Sequence, residues 1–263
     1  MKHGPATRAI SIMYHDVIDA GDFASSGFAG SGADRYKLDR GEFARHLDSI
    51  RCPVDTFGAE VAGRIPVYLT FDDGGASAHR IIARMLEERG WRGHFFVTTD
   101  RIGTPGFLDA GQIRDLAARG HVIGSHSCSH PRRISACSPG ELRHEWTDSI
   151  AVLAQILEAP VTIASVPGGF YSTAVGTTAA DAGIRVLFTS EPTTRIDHVG
   201  DCLLLGRYGI WRGMPASVSG AIAAGALASR WRQSAWWAVK KAAKSIPGDP
   251  YAKLRGVLLR GRE

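Results

Sequence analysis

Two adjacent aspartates are the clearest candidates for chemistry in the sequence. Asp72 and Asp73 stand in the segment Thr70-Phe71-Asp72-Asp73-Gly74, at the end of the apolar run VYLTF. Neighbouring carboxylates repel each other unless a cation or hydrogen bonds compensate their charge. A bound metal ion would give that compensation. An ordinary Asp-Gly turn that caps the next helix is the alternative explanation.

Two histidines form the second candidate group. His126 and His130 belong to the segment His-Ser-Cys-Ser-His, which follows the apolar run HVIGS. Imidazoles four residues apart lie on one face of a helical turn and can bind one divalent ion through neutral nitrogens. A pair of hydrogen-bonded surface histidines is the alternative. With the aspartate segment they would supply a His-His-Asp triad with open positions for water and substrate.

A third segment, Ser165-Val166-Pro167-Gly168-Gly169-Phe170-Tyr171, also leaves an apolar run. Its glycines allow the backbone to approach a ligand closely, so a peptide N–H there could stabilise an oxyanion. A plain turn between a strand and a helix explains the same residues.

Seven short apolar or β-branched runs are predicted to be the strands that position these segments. They cover residues 9–14, 67–71, 94–98, 121–125, 161–166, 185–190 and 202–207. Helical patterns lie between most of them, at 78–90 and at 139–158 for example, and the second begins with a capping box at Ser138 and Glu141. Residues 19–35 are predicted to be a long mobile loop.

Alternation of strands and helices indicates βαβ units and a mainly parallel sheet, open or closed. In such folds the carboxyl ends of the strands meet at one face, and that face carries the site. All three candidate segments follow predicted strands. We therefore expect them to lie close together.

The sequence resembles the polysaccharide deacetylase family, the NodB-homology domain of chitin and peptidoglycan deacetylases. The resemblance rests on TFDDG, HSxxH and xxPGG, in family order between residues 70 and 171. It implies a distorted (β/α)7 barrel, to which the C-terminal part of this chain is expected to add a helical extension. It also implies hydrolysis of N-acetyl, sometimes O-acetyl, groups on sugars with a divalent metal. Zinc is the expected metal, and cobalt, nickel or manganese are alternatives.

The resemblance also assigns roles to single residues. It implies that Asp72 is the base that activates water and that Asp73, His126 and His130 are the metal ligands. The Gly168 amide falls at the family's oxyanion position. Gly169 and Tyr171, in the same motif, are expected to contact the substrate.

The chain departs from the family pattern in two places. Ser165 stands where the family usually has an arginine that holds the catalytic aspartate, and the late strand CLLLGRYGI lacks the histidine that protonates the leaving amine. Arg207 could replace the arginine, because a guanidinium reaches a carboxylate from several directions. His15, at the end of the first strand, is then the expected general acid. A surface arginine and a histidine hydrogen-bonded to Asp16 are the alternatives.

Charge is unevenly distributed along the 263 residues. From Arg230 onward there are nine Lys or Arg and two acids, so this part carries +7 while the whole chain carries +5. Residues 215–246 are predicted to be a basic, Trp-containing helix. It either packs on the barrel or lies on an anionic membrane surface. The slightly acidic remainder and the lack of a binding motif exclude a nucleic-acid function.

The cysteines and the N-terminal sequence favour a cytoplasmic protein. The four cysteines form no CxxC pair, and neither an export signal nor a membrane span is recognisable. If the basic tail binds lipid, the expected location is the inner membrane surface.

We expect a barrel over residues 1–214 and a basic tail over 215–263. The expected function is metal-dependent deacetylation of an N-acetylated glycan or glycan precursor in bacterial exopolysaccharide biosynthesis. A hydrolase of a formamide or cyclic ureide and a catalytically impaired glycan-binding domain are the alternatives. The sequence does not specify an oligomeric state.

Overall fold

The computed structural model describes residues 7–59, 61, 63–228, 230, 233–235 and 237. Within these residues the chain forms one nine-stranded sheet and a small two-stranded sheet. The strands are β1 (Ile10–Tyr14), β2 (Asp16–Ile18), β3 (Lys37–Asp39), β4 (Val67–Phe71), β5 (His94–Val97), β6 (Val122–Ser125), β7 (Ile163–Ser165), β8 (Val186–Phe188), β9 (Ile196–Val199), β10 (Cys202–Leu205) and β11 (Tyr208–Gly209).

The large sheet has the order β11-β1-β4-β5-β6-β7-β8-β10-β9, and β2 pairs with β3 in the small one. All pairings in the large sheet are parallel except that of β9 with β10. Further backbone hydrogen bonds join the edge strand β9 and the residues before it to the segment that precedes β1. Ala9 N donates to Thr194 O at 2.8 Å, and Ile196 N donates to Thr7 O at 3.1 Å. The sheet therefore curls toward a barrel.

Helices connect most of the parallel strands. They are α1 (Ser31–Asp34), α2 (Arg40–Ser49), α3 (Ala83–Glu87), α4 (Ala110–Ala118), α5 (Pro139–Leu157), α6 (Thr173–Asp181) and α7 (Ser217–Ala223). The predicted capping box of α5 is present, with Ser138 Oγ accepting from Glu141 N and the Glu141 carboxylate accepting from Ser138 N. The helix predicted over 78–90 opens with a π-helical turn, Ala78–Ile82, before α3.

Alternating side chains divide the strands between two apolar layers. On β1, Ile10, Ile12 and Tyr14 belong to the largest core cluster, which also includes residues of α2, α3, α4 and α7. Tyr68, Phe96 and other residues from alternate strand positions form a separate cluster. Because strand side chains alternate between faces, the first layer lies under the helices and the second fills the interior of the sheet.

All seven predicted strands are confirmed, as β1, β4, β5, β6, β7, β8 and β10. The loop predicted as mobile at 19–35 is instead tied to the body and includes α1. Ser26 Oγ donates to Asp16 at 2.5 Å, and Gly27 N donates to Gly106 O at 2.8 Å. Buried Lys37, just beyond the loop, donates to Phe23 O at 2.6 Å. These bonds hold the loop beside the ends of the central strands.

The C-terminal segment packs on the barrel as far as it is described. The helix predicted over 215–246 is interrupted, since α7 ends before Gly225, whose φ is 74°, and helical residues resume at 227. Arg230 donates to Tyr208 Oη at 3.1 Å, and Ser234 Oγ donates to Pro192 O at 2.8 Å. Trp231, Trp236 and residues 238–263 lie outside the described residues. Among the described helices none combines the length and apolarity needed to cross a membrane.

Candidate active site

The aspartate pair occupies a sharp turn at the end of β4. Asp73 and Gly74 both have φ of 79°, which is uncommon for a residue with a side chain. Thr98 N donates to Asp73 O and Leu108 N to Gly74 O, at 3.3 and 3.0 Å. A Cβ on Gly74 would come within 3.1 Å of the Val97 Cα atom, so this position requires glycine. The turn thus fixes the two carboxylates at the strand end.

The histidine segment is not the helical turn predicted from its spacing. Ser127 and His130 have φ of 65° and 59°, and residues 126–130 form an irregular loop. His130 N donates to Ser127 Oγ at 3.2 Å. The two imidazoles nevertheless lie near each other, with ring centroids 5.1 Å apart. Their pairing therefore depends on two left-handed residues and not on helical periodicity.

A buried carboxylate on α5 explains this loop conformation. Glu145 Oε2 accepts from Cys128 N at 2.9 Å and Ser129 N at 3.0 Å, and Oε1 accepts from Ser129 Oγ at 2.6 Å. The three bonds satisfy a charge that is almost completely removed from solvent. Glu145 therefore clamps the segment between the two histidines, and sequence reasoning missed it.

Asp73, His126 and His130 come together as the predicted triad. One ligand atom from each lies within 4.8 Å of the other two. Asp73 Oδ1 is 3.4 Å from His126 Nε2 and 3.6 Å from His130 Nε2. Ligands bound at about 2.0–2.1 Å around a tetrahedral metal are about 3.3 Å apart. Cys128 does not belong to this group, and its buried thiol lies 3.7 Å from His144 O instead.

The triad has the chemistry of a metal site. Asp73 Oδ1 is buried and has no hydrogen-bond partner among the described residues, although a buried carboxylate oxygen is normally satisfied. Burial raises the pKa of Asp73, but its contact with His126 and the nearby charges of His15 and His130 lower it more, to well below its ordinary value. Burial lowers the pKa of His130, which favours the neutral, ligating form. These residues fit a divalent cation.

Arg207 meets Asp72, as the vacancy at Ser165 predicted. Its Nη1 lies 2.6 Å from Asp72 Oδ1 and its Nη2 lies 2.8 Å from Oδ2, in a bidentate pair. Nε donates to Thr189 O at 2.9 Å, and the guanidinium lies over the Phe96 ring. Burial raises the pKa of Asp72, but the charges of Arg207 and then His126 lower it more, so that the pKa is below its ordinary value. Asp72 is therefore held ionised.

Ser165 links the aspartate to the histidine pair. Its Oγ donates to Asp72 Oδ1 at 3.1 Å and lies 2.6 Å from His126 Nδ1. With Nδ1 engaged in this contact, Nε2 is the His126 nitrogen that faces Asp73. Ser165 thus contacts both the candidate ligand His126 and the candidate base Asp72.

His15 lines the same cleft, beside Asp72 and Asp73. Its ring stacks on Tyr36 with centroids 4.6 Å apart, and its buried Nδ1 has no hydrogen-bond partner among the described residues. The alternative partner Asp16 accepts instead from Ser26 and Ser77. His15 therefore has a position consistent with the expected general acid.

Only part of the glycine segment, residues 165–171, lines the cleft. Gly168 and Gly169 line the cleft with φ of 62° and 67°. Tyr171 is not among the described residues that line it, because its ring packs in a core cluster and its hydroxyl is 2.7 Å from the position of a Cβ on Gly176. The structure thus places the Tyr171 ring outside the cleft lining, and its contact with substrate stays a prediction. Packing against a glycine on α6 draws its ring away from the cleft.

The cleft has a volume of about 470 Å³, and several of its wall residues were not predicted. Phe28, in the loop at 19–35, lies 4.9 Å from the His130 ring. Arg35, Arg101 and Arg132 also line the cleft, as does Trp237, whose Cη2 atom would be 2.9 Å from a Cβ on Gly169. Phe28 and Arg35 belong to a long segment rich in Gly, Ser and Ala, which gives no periodic signal, so sequence patterns could not place their side chains.

A family model described as polysaccharide deacetylase matches residues 60–187. This region contains the aspartate pair, the histidine loop and the glycine segment. Residues 60–187 are therefore similar to the polysaccharide deacetylase family. The matched region holds all three metal-ligand candidates and Asp72, whereas Arg207 and His15 come from outside it.

Comparison with known proteins supports the same family. A chitooligosaccharide deacetylase of Bradyrhizobium sp. (strain ANU 289) is 32% identical over 133 residues, which is 50% of this chain and 58% of that protein. The match therefore spans less than two thirds of the relative.

Two solved structures share the fold. A polysaccharide deacetylase from Bacillus cereus superposes with a TM-score of 0.68 and 18% identity, over 82% of this chain and 69% of that one. The deacetylase PplD from Streptococcus pyogenes, in complex with acetate, superposes with a TM-score of 0.66 and 18% identity. That match covers 80% of this chain and 95% of the other. The chain is a distorted (β/α)7 barrel of the deacetylase type, as predicted.

Proposed function

We propose that the protein is a metal-dependent hydrolase that removes acetyl groups from N-acetylated sugars. The observation that carries this proposal is the Asp73–His126–His130 triad beside an aspartate clamped by Arg207, all at one end of the deacetylase barrel. The name of the Bradyrhizobium relative supports a carbohydrate amide as substrate.

Asp73, His126 and His130 would hold the metal. A divalent ion bound there supplies Lewis acidity, which polarises an acyl carbonyl and makes water easier to deprotonate. Zinc suits two imidazoles and one carboxylate, and cobalt, nickel and manganese accept similar donors. Ser165 and Glu145 orient this set from outside, through His126 Nδ1 and the loop amides.

Asp72 is the proposed base. Arg207 and Ser165 hold its carboxylate in one orientation, and the lowered pKa keeps it ionised at neutral pH. It accepts a proton from water as that water attacks the acetyl carbon. A positioned base of this kind contributes about 10² to 10⁴ in rate.

His15 is the proposed general acid, because amide cleavage needs a proton on the departing nitrogen. Segment 202–210 offers no histidine for this step, whereas the His15 ring borders the cleft. Gly168 and Gly169 are the proposed backbone contacts for the acetyl group. Their left-handed conformation and the narrow space beside Gly169 suit residues without side chains.

A catalytically impaired glycan-binding domain is the second candidate, motivated by the missing late histidine. The bidentate pair between Arg207 and Asp72 argues against it, since a binding domain has no need of an ionised, buried base. The proposal extends to bacterial exopolysaccharide assembly. In this context the basic segment after Arg230 would bring the enzyme to the inner membrane surface.

Acetate release from the zinc-, cobalt- or nickel-loaded protein tests the function. The substrates are mono-, oligo- and polymeric N-acetylated sugars, with a formamide and a cyclic ureide as rival amides. Asp72→Asn serves as the matched inactive control. The proposal is supported if the wild type releases acetate from a sugar and the Asp72→Asn variant does not. Binding without release favours the glycan-binding alternative, and turnover of the rival amides alone would overturn the choice of substrate.

A further inference from the structure

Three arginines surround the cleft above the metal triad. Arg101 and Arg132 are exposed and Arg35 is half-buried, and all three line the cleft. Among the described residues none of them forms an ion pair with an acidic side chain within 4.0 Å. This concentration of charge is unusual in a chain whose first 229 residues carry a net −2 by sequence.

Two of the three arginines, Arg101 and Arg35, contact aromatic rings. The guanidinium of Arg101 lies 5.3 Å from the centroid of Phe28, and Phe28 in turn lies 4.9 Å from the His130 ring. The guanidinium of Arg35 lies 5.0 Å from Trp211. Stacking orients a guanidinium and leaves its N–H groups able to bind an oxyanion.

The arginines also stand on different sides of the triad. Arg101 adjoins His130 through Phe28, and Arg35 precedes Tyr36, on which His15 stacks. Arg132 borders the glycine segment, since its carbonyl oxygen is 3.8 Å from the position of a Cβ on Gly168. The three arginines therefore adjoin different residues of the cleft lining and are not grouped at one point.

The acidic residues of the cleft do not neutralise this rim. Asp16, Asp72 and Asp73 are all buried at its floor. Asp72 is paired with Arg207, and Asp16 accepts from Ser26 and Ser77. The remaining cation of the lining, Lys37, is buried and paired with Asp34 at 3.4 Å. The acidic side chains of the cleft are thus buried at its floor, and the exposed or half-buried charges among the described lining residues are the arginines.

We propose that the substrate is an anionic glycan, with a carboxylate or phosphate close to the N-acetylated sugar, bound by Arg35, Arg101 and Arg132. The inference rests on the proposed function and narrows its substrate class. A guanidinium matches the planar or tetrahedral oxygens of both groups by bidentate hydrogen bonds. A positive rim around a low-dielectric cleft also raises the local concentration of an anionic substrate.

The test compares three N-acetylated probes with the metal-loaded enzyme. A chitin tetrasaccharide is neutral, a heparosan tetrasaccharide carries glucuronates, and N-acetylglucosamine 1-phosphate carries a phosphate. We expect a lower KM for one charged probe than for the neutral one. A lower KM for the heparosan tetrasaccharide indicates a carboxylate, and a lower KM for N-acetylglucosamine 1-phosphate indicates a phosphate. Added salt should raise the KM of the charged probe and hardly affect that of chitin tetrasaccharide.

Substitution assigns the preference to the rim. Each of Arg35→Gln, Arg101→Gln and Arg132→Gln should raise the KM of the preferred charged probe about three- to tenfold more than that of chitin tetrasaccharide. Arg114→Gln is the matched control, because Arg114 is an exposed arginine of α4 outside the cleft, and it should change neither KM. Thermal unfolding checks that each variant is folded.

The outcomes separate the two proposals. Acetate release with equal KM for all probes, or with no effect of the three substitutions, overturns the anionic substrate and leaves the deacetylase function intact. If no probe releases acetate, calorimetric binding of the charged probes to the metal-loaded protein still decides the inference. Arginine-dependent binding supports it, and binding that the variants do not alter refutes it.

Discussion

Arg207 holds both carboxylate oxygens of Asp72 although 135 positions separate the two residues in the chain. The contact supplies the counter-charge that the family usually takes from the position of Ser165. If it maintains the base, Arg207→Gln should lower kcat by on the order of 10², and Arg207→Lys should lower it less, because lysine keeps the charge without the second hydrogen bond. Steady-state acetate release measures both.

A swap variant makes this prediction more stringent. Ser165→Arg combined with Arg207→Gln returns the guanidinium to the family's position, and we expect it to recover part of the activity that Arg207→Gln loses. Unfolding in urea must accompany the kinetics, because breaking a buried pair also costs about 3–5 kcal/mol of stability. Wild-type kcat in Arg207→Gln would show that Asp72 does not depend on the pair.

Substitution of the proposed base Asp72 and of the proposed ligand His130 should have different effects on metal content and kcat. Asp72→Asn should keep a full complement of metal and lose about 10² to 10⁴ in kcat. His130→Ala should lose the metal itself, because only two of three protein ligands remain. Elemental analysis beside acetate release distinguishes the variants. Unchanged metal content in His130→Ala would remove that residue from the site.

Glu145 should control metal affinity without touching the metal. Glu145→Gln has one acceptor oxygen fewer for the two amides and the hydroxyl of the loop, so the dissociation constant for zinc should rise about 10- to 100-fold. Competition with a chromophoric chelator measures it, and the visible spectrum of the cobalt form reports the geometry. Glu158→Gln, an exposed change at the end of the same helix, is the control. Equal affinities in both variants would make Glu145 a purely structural residue.

The role of His15 can be isolated through the leaving group. An amine needs a proton to depart, whereas the phenolate of 4-methylumbelliferyl acetate does not. His15→Gln should therefore slow deacetylation of an N-acetylated sugar by about 10² and leave ester cleavage within a few-fold of wild type. Metal content must stay constant. Equal losses on both substrates would contradict a proton-donor role.

His94 should make the fold acid-sensitive. It is fully buried on β5, with Nδ1 at 3.1 Å from Leu69 O and Nε2 accepting from Phe57 N at 3.0 Å, and burial lowers its pKa to about 4. The unfolded chain, with a pKa near 6.5, therefore takes up the proton first as pH falls. The free energy of unfolding should fall between about pH 6.5 and 4, by on the order of 3 kcal/mol from this residue.

Urea unfolding across that range tests the effect in wild type and His94→Gln. The pH dependence should be weaker in the variant. It should not vanish, because burial also lowers the pKa values of His46 and His121. Parallel curves for the two proteins would contradict the assignment to His94.

The strands were predictable because buried parallel strands are nearly continuous apolar runs. The missed strands β2, β3, β9 and β11 have only two to four residues, and Asp-Val-Ile or Tyr-Gly carries too little pattern to be recognised. The helical turn at His126 was predicted wrongly because its conformation depends on Glu145, which lies in another element. A charged residue between Leu142 and Trp146, on the apolar stripe of α5, was the available signal.

The site was predictable where chemistry or a missing residue pointed to it. Asp72 and Asp73 stood out because adjacent carboxylates need a compensating cation. Arg207 stood out because Ser165 occupies the position where the family usually has an arginine. The position of the Tyr171 ring could not be predicted, because Gly168 to Phe170 line the cleft while the Tyr171 ring packs beside Gly176 in another element. The arginine rim went unnoticed because its members are far apart in the chain and only the folded loops bring them together.

Strand β1 pairs with one strand from the first third of the chain and with another that is translated much later. It pairs with β4, which begins at Val67, and with β11 at Tyr208–Gly209. Because synthesis runs from the N-terminus, Asp73, His126 and His130 leave the ribosome before Arg207. Without its guanidinium partner, burial of the Asp72 carboxylate is unfavourable. We therefore expect the charge of Asp72 to disfavour closure of the barrel until Arg207 and β11 have been synthesised.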